Sequence, residues 1–230
     1  MFAVIFVVQP RKGRFNDYLD LAKFLKPKLE ATDGFIDNER FESKRTKGRV
    51  LSLSTWRDEK SVVRWRSQGE HHGVQEKGRF EVFEDYHLRV GEITQDSDPP
   101  KGLTVDEQRF DATEVGKGKV VTVSELAPKK DSTLGAKPDA LTAHLGLDPG
   151  ADGLIDHEVF ESIYNPGKLL LLATWRGADA ADRWQPRRPE AVESMRHRQV
   201  RVIRDYGMFD RREAPQYYPE VKPSRRVAAE

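Results

Sequence analysis

The sequence predicts an α+β fold built twice over, as two tandem βαββαβ units whose sheets meet within one chain. An internal repeat, the strand and helix patterning inside each copy, and the chain length point to it. The run from Gly34 to Ser43 returns from Gly153 to Ser162, an offset of 119, with its Gly, Ile, Asp, Glu, Phe, Glu and Ser positions identical. At the same offset Thr55-Trp56-Arg57 returns as Thr174-Trp175-Arg176, and Arg64-Trp65 as Arg183-Trp184. Over residues 34–65, 15 of 32 gapless positions match, which means duplication of a whole small domain and not a solenoid of short units. After one inserted residue Asp85-Tyr86 aligns with Asp205-Tyr206, which carries the repeat into a final strand. A chain of 230 residues divides readily into two such units.

The elements follow in order. Residues 2–8 are apolar and mostly β-branched or aromatic, as in a strand covered on both sides. Over 15–31, Phe15, Tyr18, Leu19, Ala22, Leu25 and Leu29 recur at helical spacing, with Pro27 expected to kink or shorten the helix. Strands near 35–44 and 49–56 flank a turn at Thr46-Lys47-Gly48, and the second alternates Leu51, Leu53 and Thr55 against Ser52, Ser54 and Trp56. Asp58 is placed to cap a helix from Glu59, Ser67-Gln68-Gly69 interrupts it, and a further helical turn covers 70–77. Phe80, Val82, Phe83, Tyr86, Leu88 and Val90 form the last strand of the first copy. This is the split, ferredoxin-like order: an antiparallel sheet with helices on one face.

Units are expected at 1–93 and 118–210, joined by a surface linker at 94–117 and followed by a tail at 211–230 with a loose end. The second copy should hold strands at 119–126, 154–163, 168–175 and 199–209 and helices near 137–146, 178–184 and 189–196, the first of them short because Pro138, Gly146 and Pro149 crowd it. Tyr217 and Tyr218 are candidates to pack back on the body. Each sheet leaves one face bare, so the two copies are expected to bury those faces against each other as an intrachain pseudo-dimer.

Charge is abundant but balanced, 39 Lys and Arg against 38 Asp and Glu, so no general attraction to nucleic acid or membrane follows. The absence of cysteine removes disulfides and thiolate chemistry and fits a reducing cytoplasm. The apolar opening lacks a basic leader and is too short to span a bilayer. Neither a metal-ligand spacing nor a phosphate-binding glycine loop is present.

Thr55-Trp56-Arg57, Arg64-Trp65-Arg66-Ser67, Glu70-His71-His72, Gln75, Gly78-Arg79-Phe80, Phe83, Asp85-Tyr86 and Arg89-Val90 together resemble the antibiotic biosynthesis monooxygenase family. The resemblance covers most of residues 1–92; the second copy shares the Trp pair and Asp205-Tyr206. It implies a dimeric α+β barrel with a pocket between sheet and helices in each copy. Activities in the family include cofactor-free oxygenation of aromatic substrates and haem degradation. Haem-degrading relatives carry a Trp where Trp65 stands, a His ligand where this chain has Gln75, and an Asn in the first strand, which residues 1–9 lack.

The resemblance therefore implies a monooxygenase of a planar or aromatic small molecule, working without metal or flavin, with His72, Trp65 and Tyr86 as catalytic residues and Phe6, His71 and Phe83 lining the substrate. The alternatives are a haem protein using His72 or His71 as ligand, and a non-catalytic barrel binding a small ligand or partner. On a helix His71 and His72 point about 100° apart, so only one can enter a given pocket, and His72 is favoured. Trp56 and Trp175 are expected to be structural. The repeated carboxylates Asp37, Glu39, Asp156 and Glu158 are expected to pair with Arg57 or Arg64 and with Arg176 or Arg183.

Overall fold

The computed structural model describes residues 1–135 and 137–222. Eight strands close into one antiparallel barrel: β1 (Phe2–Pro10), β2 (Phe35–Ser43), β3 (Val50–Trp56), β4 (Phe83–Asp96), β5 (Val120–Pro128), β6 (Leu154–Ser162), β7 (Leu169–Trp175) and β8 (Val192–Gly207). Their order around the barrel is β1-β3-β2-β6-β7-β5-β8-β4. Each copy contributes four adjacent strands, and β2–β6 and β4–β8 are the two seams between copies. The inner faces share one core, in which Ile5, Phe41, Leu51 and Ile93 of the first copy meet Val121, Phe160, Leu170 and Val202 of the second.

Helices α1 (Phe15–Glu30), α2 (Glu59–Arg66) and α3 (Gly69–Lys77) cover the outer face of the first copy's sheet; α4 (Pro138–His144) and α5 (Ala178–Asp182) cover the second's. Helix α1 runs through Pro27 to Glu30 and is not shortened there. Pro27 is exposed in the last turn, so the carbonyl it orphans can reach water, while buried Leu25 and Leu29 hold the turn against the sheet. Asp58 caps α2 by accepting from the Ser61 amide at 2.8 Å, a bond worth about 1 kcal/mol. Burial alone would raise the Asp58 carboxyl, but the Ser61 and Arg57 hydrogen bonds bring it down to about 2. A π-turn at Gly78–Val82 leads from α3 into β4.

Three expectations are corrected. The helix expected at 189–196 is absent: Pro186 and Pro189 interrupt any continuation of α5, and β8 begins at Val192. The alignment of Tyr86 with Tyr206 is a coincidence of sequence. In the ladders Tyr86 pairs with Val8 and Met195 with Leu126, so Met195 is the counterpart of Tyr86, while Tyr206 lies further along β8 opposite Leu88 of the first copy. Finally, the repeated carboxylates do not pair with Arg57 and Arg64, which both bind Asp33, at 2.8 Å each. They cross the β2–β6 seam instead. Ser43 donates to Glu158 at 2.5 Å and Ser162 to Glu39 at 2.6 Å, a reciprocal pair that explains why both residues are kept in both copies. Lys168 also pairs with Glu39, and Asp37 faces Arg196 at 3.6 Å.

The segment between β4 and β5 is not simply draped outside. Leu103 and Val105 pack on the barrel core, and the Gln108 and Arg109 amides donate to the buried Glu92 carboxylate. The loose end expected at 223–230 lies outside the described residues. No described helix is long and apolar enough to cross a membrane.

Candidate active site

A cavity of about 200 Å³ lies between the outer face of the first copy's sheet and helices α1–α3. Its floor is set by strand alternation: residues of one parity fill the barrel, so those of the other parity look out beneath the helices. Two rows cross it. Arg40, Ser52, Phe6 and Leu88 form one, and Asn38, Ser54, Val4 and Val90 the next. Tyr18, Leu25, Leu29 and Val62 roof it. Phe6, Phe83 and Tyr86 form an aromatic wall, with ring centroids 5.6–6.2 Å apart.

Five of the six sequence-predicted residues are brought together: Phe6, Trp65, His71, Phe83 and Tyr86 all line the cavity. His72 does not. It is exposed, stacks on Tyr218 at 5.4 Å and meets the Tyr218 hydroxyl at 3.1 Å through Nδ1. His71 turns inward and lies flat against Trp65, with centroids 4.1 Å apart and planes 21° apart. Its Nδ1 is 3.0 Å from the Trp65 carbonyl oxygen. A carbonyl only accepts, so Nδ1 carries the hydrogen and Nε2 keeps the lone pair, with the Gln75 amide 3.4 Å away. Burial pushes the His71 imidazole down to about 4, the Trp65 contact opposing this only in part. The cavity thus holds a neutral imidazole with one accepting nitrogen.

Tyr86 lines the same cavity. Its hydroxyl accepts from Arg79 at 3.2 Å and from Arg211 at 2.6 Å. With two donors already on the oxygen, the phenolic hydrogen is left to point at a cavity occupant. Arg79 is itself held by the Met208 carbonyl at 2.7 Å. Burial pushes the neighbouring Tyr206 phenol up to about 12, so it stays protonated. Trp56 is fully buried, with its indole donating to Ser54 at 2.9 Å, and is structural as expected.

Sequence reasoning missed two sets of residues. The first is the polar floor of Asn38, Arg40, Ser52 and Ser54. The second is the destination of the tail after β8: Tyr218 packs back on the body as expected while Tyr217 is exposed, but sequence reasoning did not place this segment over the first copy's pocket. There Arg211, Gln216 and Tyr218 line the cavity, and Tyr218 donates to Gln75 at 3.2 Å.

Among the described residues the second copy packs this place with side chains. At the positions of Ser52, Ser54 and Arg40 it carries Leu171, Ala173 and Val159, all buried and packed with Leu141, Leu145 and Trp184 in one apolar cluster. His197 stands where the first copy has Leu88, bonded to Ser124 at 2.8 Å and edge-on to Trp184.

A haem does not fit these residues. The cavity is smaller than the roughly 300–1,000 Å³ of sites for drug-sized ligands, His71 is stacked flat on Trp65, and His72 lies outside. Among the described residues no three His, Asp or Glu side chains gather as a metal site.

Residues 1–77 match the family model described as antibiotic biosynthesis monooxygenase. A Pyricularia oryzae protein named jasmonate monooxygenase is 42% identical over 224 residues, covering 95% of this chain and 99% of that protein. Among solved structures, a candidate monooxygenase of Fusobacterium nucleatum is 8% identical with a TM-score of 0.40, covering 89% of this chain and 93% of its own. An anthrone oxidase-like protein is 13% identical with a TM-score of 0.35, covering 94% and 96% respectively.

Proposed function

The chain belongs to the antibiotic biosynthesis monooxygenase family, whose members act on small molecules, and on that premise we propose that it oxygenates a small carbonyl compound in the first copy's cavity without metal or flavin. The observation that carries this reading is the pairing, in one cavity, of a neutral imidazole whose accepting Nε2 meets only the Gln75 amide, at 3.4 Å, with a phenol whose hydrogen is left for an occupant.

A base and an opposed hydrogen-bond donor are what enolisation needs. His71 Nε2 takes a proton from carbon next to the substrate carbonyl while Tyr86 donates to the carbonyl oxygen, where negative charge develops. Arg79 and Arg211 strengthen that donation by polarising the phenol. The enolate then reduces dioxygen, and reprotonation gives a hydroperoxide on the same carbon. Where that carbon bore two hydrogens, loss of water leaves a new carbonyl. The balance is CH2 + O2 → C=O + H2O, with all four electrons from substrate and none from outside. Phe6, Phe83, Leu25 and Leu29 exclude water from the anion and hold the ring.

His72 acts here from outside, holding Tyr218 and through it the tail. The lack of cysteine is in keeping with a cytoplasmic place of action. The relative's name makes jasmonate, a cyclopentanone with a carboxylate side chain, the first substrate to try. The test is oxygen uptake by purified, chelator-treated protein, with mass analysis of the product under labelled oxygen. Uptake with one labelled oxygen atom entering the product supports the reading. Ligand binding with no uptake would instead favour a binding barrel.

A further inference from the structure

The cavity carries an unusual surplus of positive charge. Arg40, Arg66, Arg79, Arg204 and Arg211 all line it, and none lies within 4.0 Å of a carboxylate among the described residues. The one carboxylate in the lining, Glu59, is already engaged by Arg109 at 2.7 Å. Arg79 and Arg211 are committed to Tyr86 and to backbone carbonyls.

Arg40 is not committed. Its Nε is sealed from solvent with no hydrogen-bond partner, as in Arg79, Arg89, Arg198 and Arg201, but those four donate through their other guanidinium nitrogens and, among the described residues, the Arg40 side chain does not. A charged donor left unmatched in such a place is costly, and one kept there by the fold calls for an acceptor that arrives later. The second copy sharpens the point, because at this position it carries the apolar Val159 and its pocket is packed shut. This half-buried guanidinium without a side-chain partner occurs in the copy that has the cavity.

We propose that the cavity takes a small organic acid, its carboxylate bound by Arg40 at the β2 edge of the floor and its reacting carbonyl turned toward Tyr86 at the β4 edge. This rests on the cavity being the substrate site. Strands β2, β3, β1 and β4 are successive neighbours and Tyr86 lies two residues from Leu88 at the end of Arg40's row, so the two anchoring residues stand about 16 Å apart at the backbone. Ser52 and Phe6 lie between them in the floor, with the Tyr86 ring on Phe6 at 5.6 Å. The planar guanidinium suits a carboxylate, and Asn38 and Ser52 border it with further polar groups.

The test is anaerobic calorimetric titration with jasmonate and with its methyl ester, which replaces the charge at one end by a methyl group. Wild type should bind the acid about 10- to 100-fold more tightly than the ester. Arg40→Met, which keeps length and removes charge, should bring the acid down to the ester's affinity without lowering the melting temperature. Arg40→Lys should restore part of the preference. The assignment is overturned if acid and ester bind alike, if neither binds, or if the preference survives Arg40→Met and disappears in Arg211→Ala. Aerobic runs separate it from the reaction: acid preference without oxygen uptake keeps the anchor and retires the oxygenase. Equal oxygen uptake with both compounds does the reverse.

Discussion

The first copy's cavity floor carries Ser52 where the second copy has the bulkier Leu171, and exchanging that one residue should move stability and activity in opposite directions. In Ser52→Leu, copying Leu171, three additional apolar carbons enter a space of about 200 Å³. At about 0.8 kcal/mol for each buried carbon this gains roughly 2 kcal/mol, against about 1 kcal/mol for the lost hydrogen bond from Asn38 to the Ser52 hydroxyl. The net is about 1 kcal/mol of stabilisation, or a rise of about 2–4 °C in a chain of this size. Oxygen uptake should be abolished in the same variant. The converse change, Leu171→Ser, empties a site that is 0% exposed and should cost about 3–5 kcal/mol while the folded fraction keeps its activity. Thermal melts and an oxygen electrode read both. A Ser52→Leu protein that melts several degrees lower would mean the cavity is not there to be filled. One that turns over at the wild-type rate would place the chemistry elsewhere.

Other consequences follow from the same geometry. With His71 held near 4, kcat/KM should show no inflection at about 6.5, where an ordinary histidine titrates, and should fall only in strongly acidic solution. Stability should also fall as pH drops from about 6.5 toward 4, because the unfolded chain binds a proton that folded His71 resists. The contribution is at most about 3 kcal/mol, reduced by residual exposure, and His71→Gln should remove it from the pH dependence of denaturant melts. At the seam, Glu158→Ala strips a partner from the Ser43 hydroxyl and from Arg45 and Arg49, and should lower stability by about 1–3 kcal/mol with activity kept in the folded fraction. Titration with hemin should give no saturable Soret shift, in wild type or in His71→Ala and His72→Ala alike.

Much of the architecture was legible because duplication leaves identities that composition cannot mimic. The strand order, the shared barrel and the buried Trp56 and Trp175 all follow from the repeat and from hydrophobic spacing. Phe6, Phe83 and Tyr86 were expected at the pocket from the family resemblance, and they meet there as an aromatic wall. The floor was not legible. Ser52, Ser54, Asn38 and Arg40 alternate with core residues, and a polar residue of that parity reads as solvent-facing until the helices above it are seen. A signal was present nonetheless: at Arg40, Ser52 and Ser54 the aligned copies differ, polar in the first and apolar Val159, Leu171 and Ala173 in the second. The Asp-Tyr match misled because two identities near a strand end weigh little against a ladder register. Choosing between His71 and His72 needed the start of α3 to within one residue, finer than helical spacing resolves. The tail had no periodicity, so packing of Tyr218 on the body was legible but its place beside Arg211 at the pocket was set only by the fold.

The account turns on His71 removing a proton from carbon before oxygen reacts, and anaerobic exchange in deuterated water tests that step alone. Jasmonate incubated with the protein under nitrogen and followed by proton NMR should lose its signal next to the ring carbonyl faster than in buffer. His71→Gln should return the rate to background, and Tyr86→Phe should slow it. Oxygen uptake in air, with no anaerobic exchange above background, would contradict the enolate route and with it the role assigned to His71.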